Sequence, residues 1–146
     1  MCLSPHLAFS AYSEAAHPFV FGTFARSLRG TESISPSDRI TYEHAIKRLL
    51  RDPGTRAAMV TPAGEPDELM AWAIGSEGCL VYAYVRYEYR LGKIGSHIGR
   101  ELIEFVAGGR PCPAAIWTID ASRMAAHGYP IRYDLDRNQQ LRQLAR

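Results

Sequence analysis

The stretch from Leu80 to Val106 limits the fold more than any other part of the chain. Leu80, Tyr82 and Tyr84 alternate with Val81, Ala83 and Val85 up to Arg86. A short apolar run rich in aromatic and β-branched residues predicts a buried strand. A short loop, Tyr87 to Lys93, follows. The next helix has Ile94, Ile98, Leu102, Phe105 and Val106 on its apolar side, at spacings of 4, 4, 3 and 1, which is the period of an amphipathic helix. Gly108-Gly109 ends it, and Ala114 to Ile119 reads as another buried strand. Strand, tight loop, amphipathic helix and strand form a right-handed crossover between parallel strands.

The flanking segments surround this unit with a different topology. Phe19 to Arg29 predicts a first helix with Phe21, Phe24 and Leu28 on one side, and Gly30 to Ser33 a loop. Ser35-Pro36-Ser37-Asp38 starts a second helix. Ser35 can cap it, Pro36 suits the first turn and Asp38 favours the positive helix end. That helix runs to about Leu50, with Tyr42, Ile46, Leu49 and Leu50 inward, and Asp52-Pro53-Gly54 stops it. Ala57 to Thr61 and Leu69 to Ile74, joined by the turn Pro62 to Asp67, predict an antiparallel hairpin. A poor first strand lies near Leu7 to Phe9. Downstream come a short helix at Ser122 to Ala126, a turn at Gly128-Tyr129-Pro130 and a final strand at Ile131 to Leu135. The expected fold class is therefore α/β, a mixed central sheet with helices on both faces.

The chain has 146 residues, a length that suits one domain and buries roughly 70% of the unfolded surface without help from disulfides or metals. Residues 1–135 are assigned to the domain and 136–146 to a polar, basic tail, in which Arg137, Arg142 and Arg146 have only Asp136 as an acidic neighbour. A free tail of this kind is expected to be disordered. An ordered one would have to be held by its own domain or by neighbouring subunits. At 47% hydrophobic and 22% charged residues, the composition excludes a disordered chain and a collagen-like repeat. No apolar run approaches the roughly 20 residues that cross a bilayer, so no membrane partner is expected. Met1 to Ser10 shows no basic start and apolar core, so no secretory signal is expected. Cys2, Cys79 and Cys112 are odd in number and widely spaced, which fits free thiols in a reducing cytoplasm. The net charge of +2 is too small to imply nucleic acid. The 15 Arg against 2 Lys fit either a GC-rich genome or selection for planar, bidentate contacts.

The chemistry points to the loop between the buried strand and its helix. Gly92 and Gly95 allow a close backbone approach to a ligand. The unpaired N–H groups of the helix start suit a pyrophosphate, and Arg90 and Lys93 add charge. The loop contains neither a GxxxxGK[ST] nor a GxGxxG pattern, and a plain strand-to-helix turn explains its glycines equally well. Tyr82, Tyr84, Arg86, Tyr87, Tyr89 and Arg90 interleave rings with guanidinium groups, a pattern also used to stack single-stranded bases. A pleated strand with one aromatic face explains it better. His97 and Glu101 lie one helical turn apart, but two ligands do not make a metal site, and no metal is expected.

Tyr84-Val85-Arg86-Tyr87-Glu88-Tyr89-Arg90-Leu91-Gly92-Lys93-Ile94-Gly95-Ser96-His97-Ile98 resembles the acyl-CoA signature of the GNAT superfamily of N-acetyltransferases. That signature is a strand ending in Tyr-Val, an aromatic-Arg pair, and (Q/R)xxGx(G/A) opening a helix. The order of elements is similar as well. Phe19 to Arg29 resembles the first helix of small phage-encoded GNAT-like proteins, and Gly128-Tyr129 falls where the family places a Gly-Phe. The resemblance implies acetyl-CoA as cofactor, held by Tyr84, Val85, Arg90, Leu91, Gly92, Lys93, Ile94, Gly95 and Ser96. It implies acetyl transfer to the amine of a small molecule or peptide, in the host cytoplasm. The amine must lose a proton before it attacks. Glu77, or Glu88 through water, is the candidate base, and Tyr82 or Tyr84 the candidate donor to the leaving thiolate. Three positions depart from the family. Lys93 stands at the first loop glycine, Met124 at the Tyr that protonates the thiolate, and Cys79 at the strand position of the catalytic Glu. These departures support an alternative: a catalytically inactive structural protein of a phage particle, such as a head–tail connector component, assembling as a homo-oligomer or with other phage structural proteins and incorporated in the virion.

Overall fold

The computed structural model describes residues 7–65, 68–76, 78–86, 101–102, 104–106, 112–126, 128–129 and 131–146. Its centre is a six-stranded sheet in the order β1-β2-β3-β4-β5-β6, with β1 at Leu7–Ala11, β2 at Thr55–Pro62, β3 at Ala71–Ser76, β4 at Cys79–Val85, β5 at Cys112–Ala114 and β6 at Ile131–Tyr133. The first four strands pair antiparallel, while β4–β5 and β5–β6 are parallel. Two helices, α1 (His17–Arg29) and α2 (Pro36–Leu49), separate β1 from β2. Residues 101, 102 and 104–106 are helical and lie between β4 and β5. Helix α3 (Ile119–Ala126) connects β5 to β6, and α4 (Leu135–Leu144) ends the chain.

The pleat distributes the core over two layers. Met59 pairs with Trp72 and Ala58 with Ala73 across β2 and β3. Met59, Trp72, Ile74 and Tyr82 pack with Val20, Phe24 and Leu28 of α1, Tyr42, Ala45, Ile46 and Leu49 of α2, and Leu141 of α4. On the other face, Ala58, Val60, Ala71, Ala73, Ala83 and Val85 pack with Leu102 and Val106. Met124 and Ala125 of α3 cover the same side. Small residues dominate this second face, so the crossover helices can lie close to the sheet. The expected α/β class, with a mixed sheet and helices on both faces, is the observed one.

Ser35 caps α2 as its sequence suggests, its hydroxyl accepting from Asp38 N at 3.1 Å. Gly128 has φ +89° in the turn before β6, a conformation that costs glycine little. Two expectations need correction. The apolar run from Ala114 to Ile119 is not a strand. β5 ends at Ala114, and Thr118 caps a longer α3 by accepting from Ala121 N at 3.1 Å. Nor is the tail a free segment. Asp134 accepts from Arg137 N at 3.2 Å and starts α4, whose Asn138 and Leu141 are buried. The helix packs on α2 and β5. Among the described residues no helix is long and apolar enough to cross a membrane.

Candidate functional site

The sheet changes from antiparallel to parallel between β4 and β5, and its pairing is irregular there. Ile74 stands opposite Tyr82 and Gly75 opposite Leu80, so Val81 is the extra residue of a β-bulge. A bulge bends its strand and increases its twist. On the other side of β4, Leu80 pairs with Ala114, and Ala115 N donates to the Leu80 carbonyl at 2.9 Å. Beyond that pair β5 turns away, while β4 runs on to Val85. The two parallel neighbours thus diverge just after the bulge.

The turn of β5 has an identifiable cause. The Ala114 carbonyl accepts from Asp134 N at 3.1 Å. The Ala115 carbonyl accepts from Asn138 Nδ2 of α4 at 2.8 Å. Asn138 is 2% exposed and is itself held from three sides. Its Nδ2 also donates to the Tyr42 hydroxyl, and its Oδ1 accepts from Arg142 Nε, both at 2.8 Å. Arg142 in turn donates to Asp38 Oδ1 at 2.6 Å and to the Tyr42 hydroxyl at 2.8 Å. Its guanidinium lies 5.0 Å from the Tyr42 ring centre. The sequence reading placed Tyr42 inward and assigned Arg142 to the tail, and it did not anticipate this network.

The hydrogen bond from Arg142 holds the Asp38 carboxyl below the usual carboxylate range. A carboxyl lowered in the folded state stabilises it above its unfolded pKa of about 4, and that contribution disappears as pH falls through the lower folded value. Asp38→Asn is therefore expected to flatten the loss of urea resistance in acid. The effect at neutral pH is at most about 1 kcal/mol, because Arg142 and Asp38 keep 36% and 28% of their side-chain surface exposed. Parallel pH curves for the two proteins would contradict this assignment.

Of the site residues named from sequence, Tyr82, Tyr84 and Val85 are among the described residues. Tyr84 is half-buried at the rim of the α1 layer, its ring edge-on to Phe19 at 6.1 Å. Val85 is buried on the opposite face. Tyr82 is 3% exposed; its hydroxyl donates to Ser27 of α1, and its ring packs against Phe24 and Trp72. Tyr82 thus belongs to the core beneath α1. Cys79 is buried, with its thiol on the Leu80 carbonyl at 3.5 Å. Met124 packs against the second core layer. Glu77, Glu88, Arg90, Leu91, Gly92, Lys93, Ile94, Gly95 and Ser96 lie outside the described residues.

A second polar pair lies near the β1 edge. Tyr12, next to β1, shares a hydrogen bond between its hydroxyl and His17 Nδ1 at the start of α1. Burial, reinforced by Glu14, pushes the Tyr12 hydroxyl up to about 12. His17 stacks on Phe21 at 5.4 Å. Among the described residues no three His, Cys, Asp or Glu side chains are grouped to hold a metal. No protein-family model, curated protein or solved structure matches the chain.

Proposed function

We propose that this chain is a GNAT-like acyl-CoA-binding protein that transfers an acetyl group from acetyl-CoA to an amine. The observation that carries the reading is the divergence of β4 and β5 after Leu80 and Ala114, placed directly before the Tyr84 to Ser96 segment that resembles the acyl-CoA signature. The parting of β4 and β5 supports the reading. Parallel strands that part leave room at their edges, and β4 leads straight into the glycine-containing loop. In this reading Gly92 and Gly95 let the backbone approach a pyrophosphate, while Arg90 and Lys93 bring cations to it. When bound, the thioester supplies an acetyl group activated for transfer. Glu77, or Glu88 through water, takes the proton from the amine. With Tyr82 committed to Ser27, the thiolate proton comes from solvent or from Tyr84 at the rim.

A specific observation favours a second reading. Met124 is half-buried against the second core layer, and Tyr82 and Cys79 are buried, so the described residues offer little acid–base chemistry at the bulge. A catalytically inactive protein of the same build, serving as a structural part of a phage particle, needs none. Thermal melts with and without millimolar acetyl-CoA separate the two readings. A ligand at about a hundred times its dissociation constant stabilises the native state by about 2.7 kcal/mol, which raises the midpoint by about 5–10 °C for a domain of this size. Gly95→Trp is expected to abolish the rise. No rise in the wild type, or a rise that survives Gly95→Trp, would overturn the acyl-CoA reading. Self-assembly seen by light scattering would then favour the structural one.

A further inference from the structure

We infer that Asn138 is a positioning residue that ends the pairing of β5 with β4 and thereby sets the opening of the cleft between them; its functional half rests on the acyl-CoA reading. The hydrogen bonds of a parallel pair are regularly spaced along both strands. With Leu80 opposite Ala114 and the Leu80 carbonyl taken by Ala115 N, the Ala115 carbonyl is the next acceptor that β5 would offer to β4. Instead it accepts from the Asn138 side chain on α4. Leu141 of the same helix belongs to the core layer over one sheet face. A carbonyl aimed at that layer is not aimed along the sheet at β4, so the ladder stops and residues 115–118 leave for α3.

The surroundings of Asn138 fit a geometric device rather than an incidental contact. Both Nδ2 bonds are buried and the Oδ1 bond is partly buried. An amide with all its partners fixed has one orientation. Tyr42, and Arg142 through Asp38, tie it to α2, so the end of β5 is referenced to a helix distant from it in sequence. Val81, the bulge residue, bends β4 at the level where Asn138 turns β5 away. Both strands of the cleft are therefore deflected at one point.

The test uses the full chain labelled with 5-fluorotryptophan and probed with acetyl-CoA. Trp117 follows the turned carbonyl closely and rests against Tyr133 at 6.3 Å, whereas Trp72 is deep in the core. Asn138→Leu is expected to shift the Trp117 fluorine resonance and leave that of Trp72 in place. It is also expected to weaken acetyl-CoA binding by about tenfold, equivalent to roughly one buried hydrogen bond. Leu141→Ala loosens the same helix without touching the carbonyl. It is expected to lower stability while leaving the Trp117 resonance and the affinity unchanged. Should Asn138→Leu fail to fold, Arg142→Gln, which keeps Asn138 but removes its Oδ1 partner together with the links to Asp38 and Tyr42, is expected to produce smaller changes in the same direction. An unmoved Trp117 resonance, or equal shifts in Asn138→Leu and Leu141→Ala, would overturn the inference. Wild-type affinity in Asn138→Leu would overturn its functional half. Absence of binding to the wild type would overturn the acyl-CoA reading, while the fluorine spectra would still decide whether Asn138 ends the ladder.

Discussion

Phe24→Ala is expected to lower the free energy of unfolding by about 3–5 kcal/mol. Phe24 is 1% exposed, and its ring lies edge-on to Tyr82 at 4.9 Å and to Trp72 at 6.3 Å. Such aromatic pairs add about 0.5–1.5 kcal/mol each beyond the burial of their area. The cost sits high in the range because the neighbours cannot move in to fill the space. Trp72 Nε1 donates to Thr23 Oγ1 at 2.8 Å, and the Tyr82 hydroxyl donates to Ser27. Both anchors lie on α1, the helix that carries Phe24. Closing the cavity would break a buried hydrogen bond, which itself costs about 1–3 kcal/mol. The midpoint should fall by about 6–20 °C for a domain of this length, as measured by calorimetry. A loss below about 1.5 kcal/mol would mean that the aromatic layer repacks and that these hydroxyl anchors do not hold the rings.

The same hydroxyls show what the sequence left open at Tyr82. A strand tyrosine beside a presumed cofactor loop reads equally well as an acid and as a packing residue. The difference lies in Ser27, which faces it from a distant part of the chain. Periodicity shows which side of a helix is apolar, not which polar group on that side meets which ring. Where local pattern and tertiary packing agree, the sequence was sufficient. The Ser35 cap, the hairpin of β2 and β3, the β4 strand and the inward residues of α2 all follow from spacing and turn chemistry.

The two segments whose reading needed correction have different causes. Ala114 to Ile119 has strand composition, yet the backbone leaves the sheet at Ala115, where the Asn138 side chain takes the carbonyl. Residues 136–146 look like a basic tail because charge dominates their composition. The signals of a helix were nonetheless present. Asp134 stands three residues before Arg137, where an N-cap belongs, and Asn138, Leu141 and Ala145 recur at helical spacing. The acidic partner of Arg142 was invisible for a different reason. Asp38 lies at the start of α2, far away in sequence, and only the packing of α4 on α2 brings the two together. The buried network around Asn138 is the part of the candidate site that local pattern could not reveal.

Gly75→Val is expected to cost about 3 kcal/mol, toward the upper end for overpacking a tight site, and Gly75→Ala most of that. A β-carbon on Gly75 would lie 2.6 Å from the Val106 carbonyl oxygen, 2.9 Å from the Val106 β-carbon and 3.0 Å from the Cys79 carbonyl oxygen. Two of these three atoms are backbone, so no change of rotamer relieves the clash. The strand, the bulged end of β4 or the helical residues 104–106 must move. Moving the helix is costly, because Val106 and Leu102 are both buried in the second core layer and Arg56 Nη1 donates to the Phe105 carbonyl at 3.2 Å. Shrinking the neighbour should therefore not rescue the variant. In a double-mutant cycle by urea denaturation, Val106→Ala is expected to couple with Gly75→Ala by no more than about 0.5 kcal/mol, since the backbone oxygen and β-carbon remain. Recovery of more than half of the loss in the double variant would locate the clash on the valine methyls instead. Gly75 also stands opposite Leu80, the last residue of β4 paired with β5. If the helix yields rather than the sheet, the cleft beyond Leu80 is disturbed as well. Under the proposed acyl-CoA reading, Gly75→Ala should then reduce any rise in melting temperature with acetyl-CoA relative to Phe24→Ala, whose damage is confined to the opposite face.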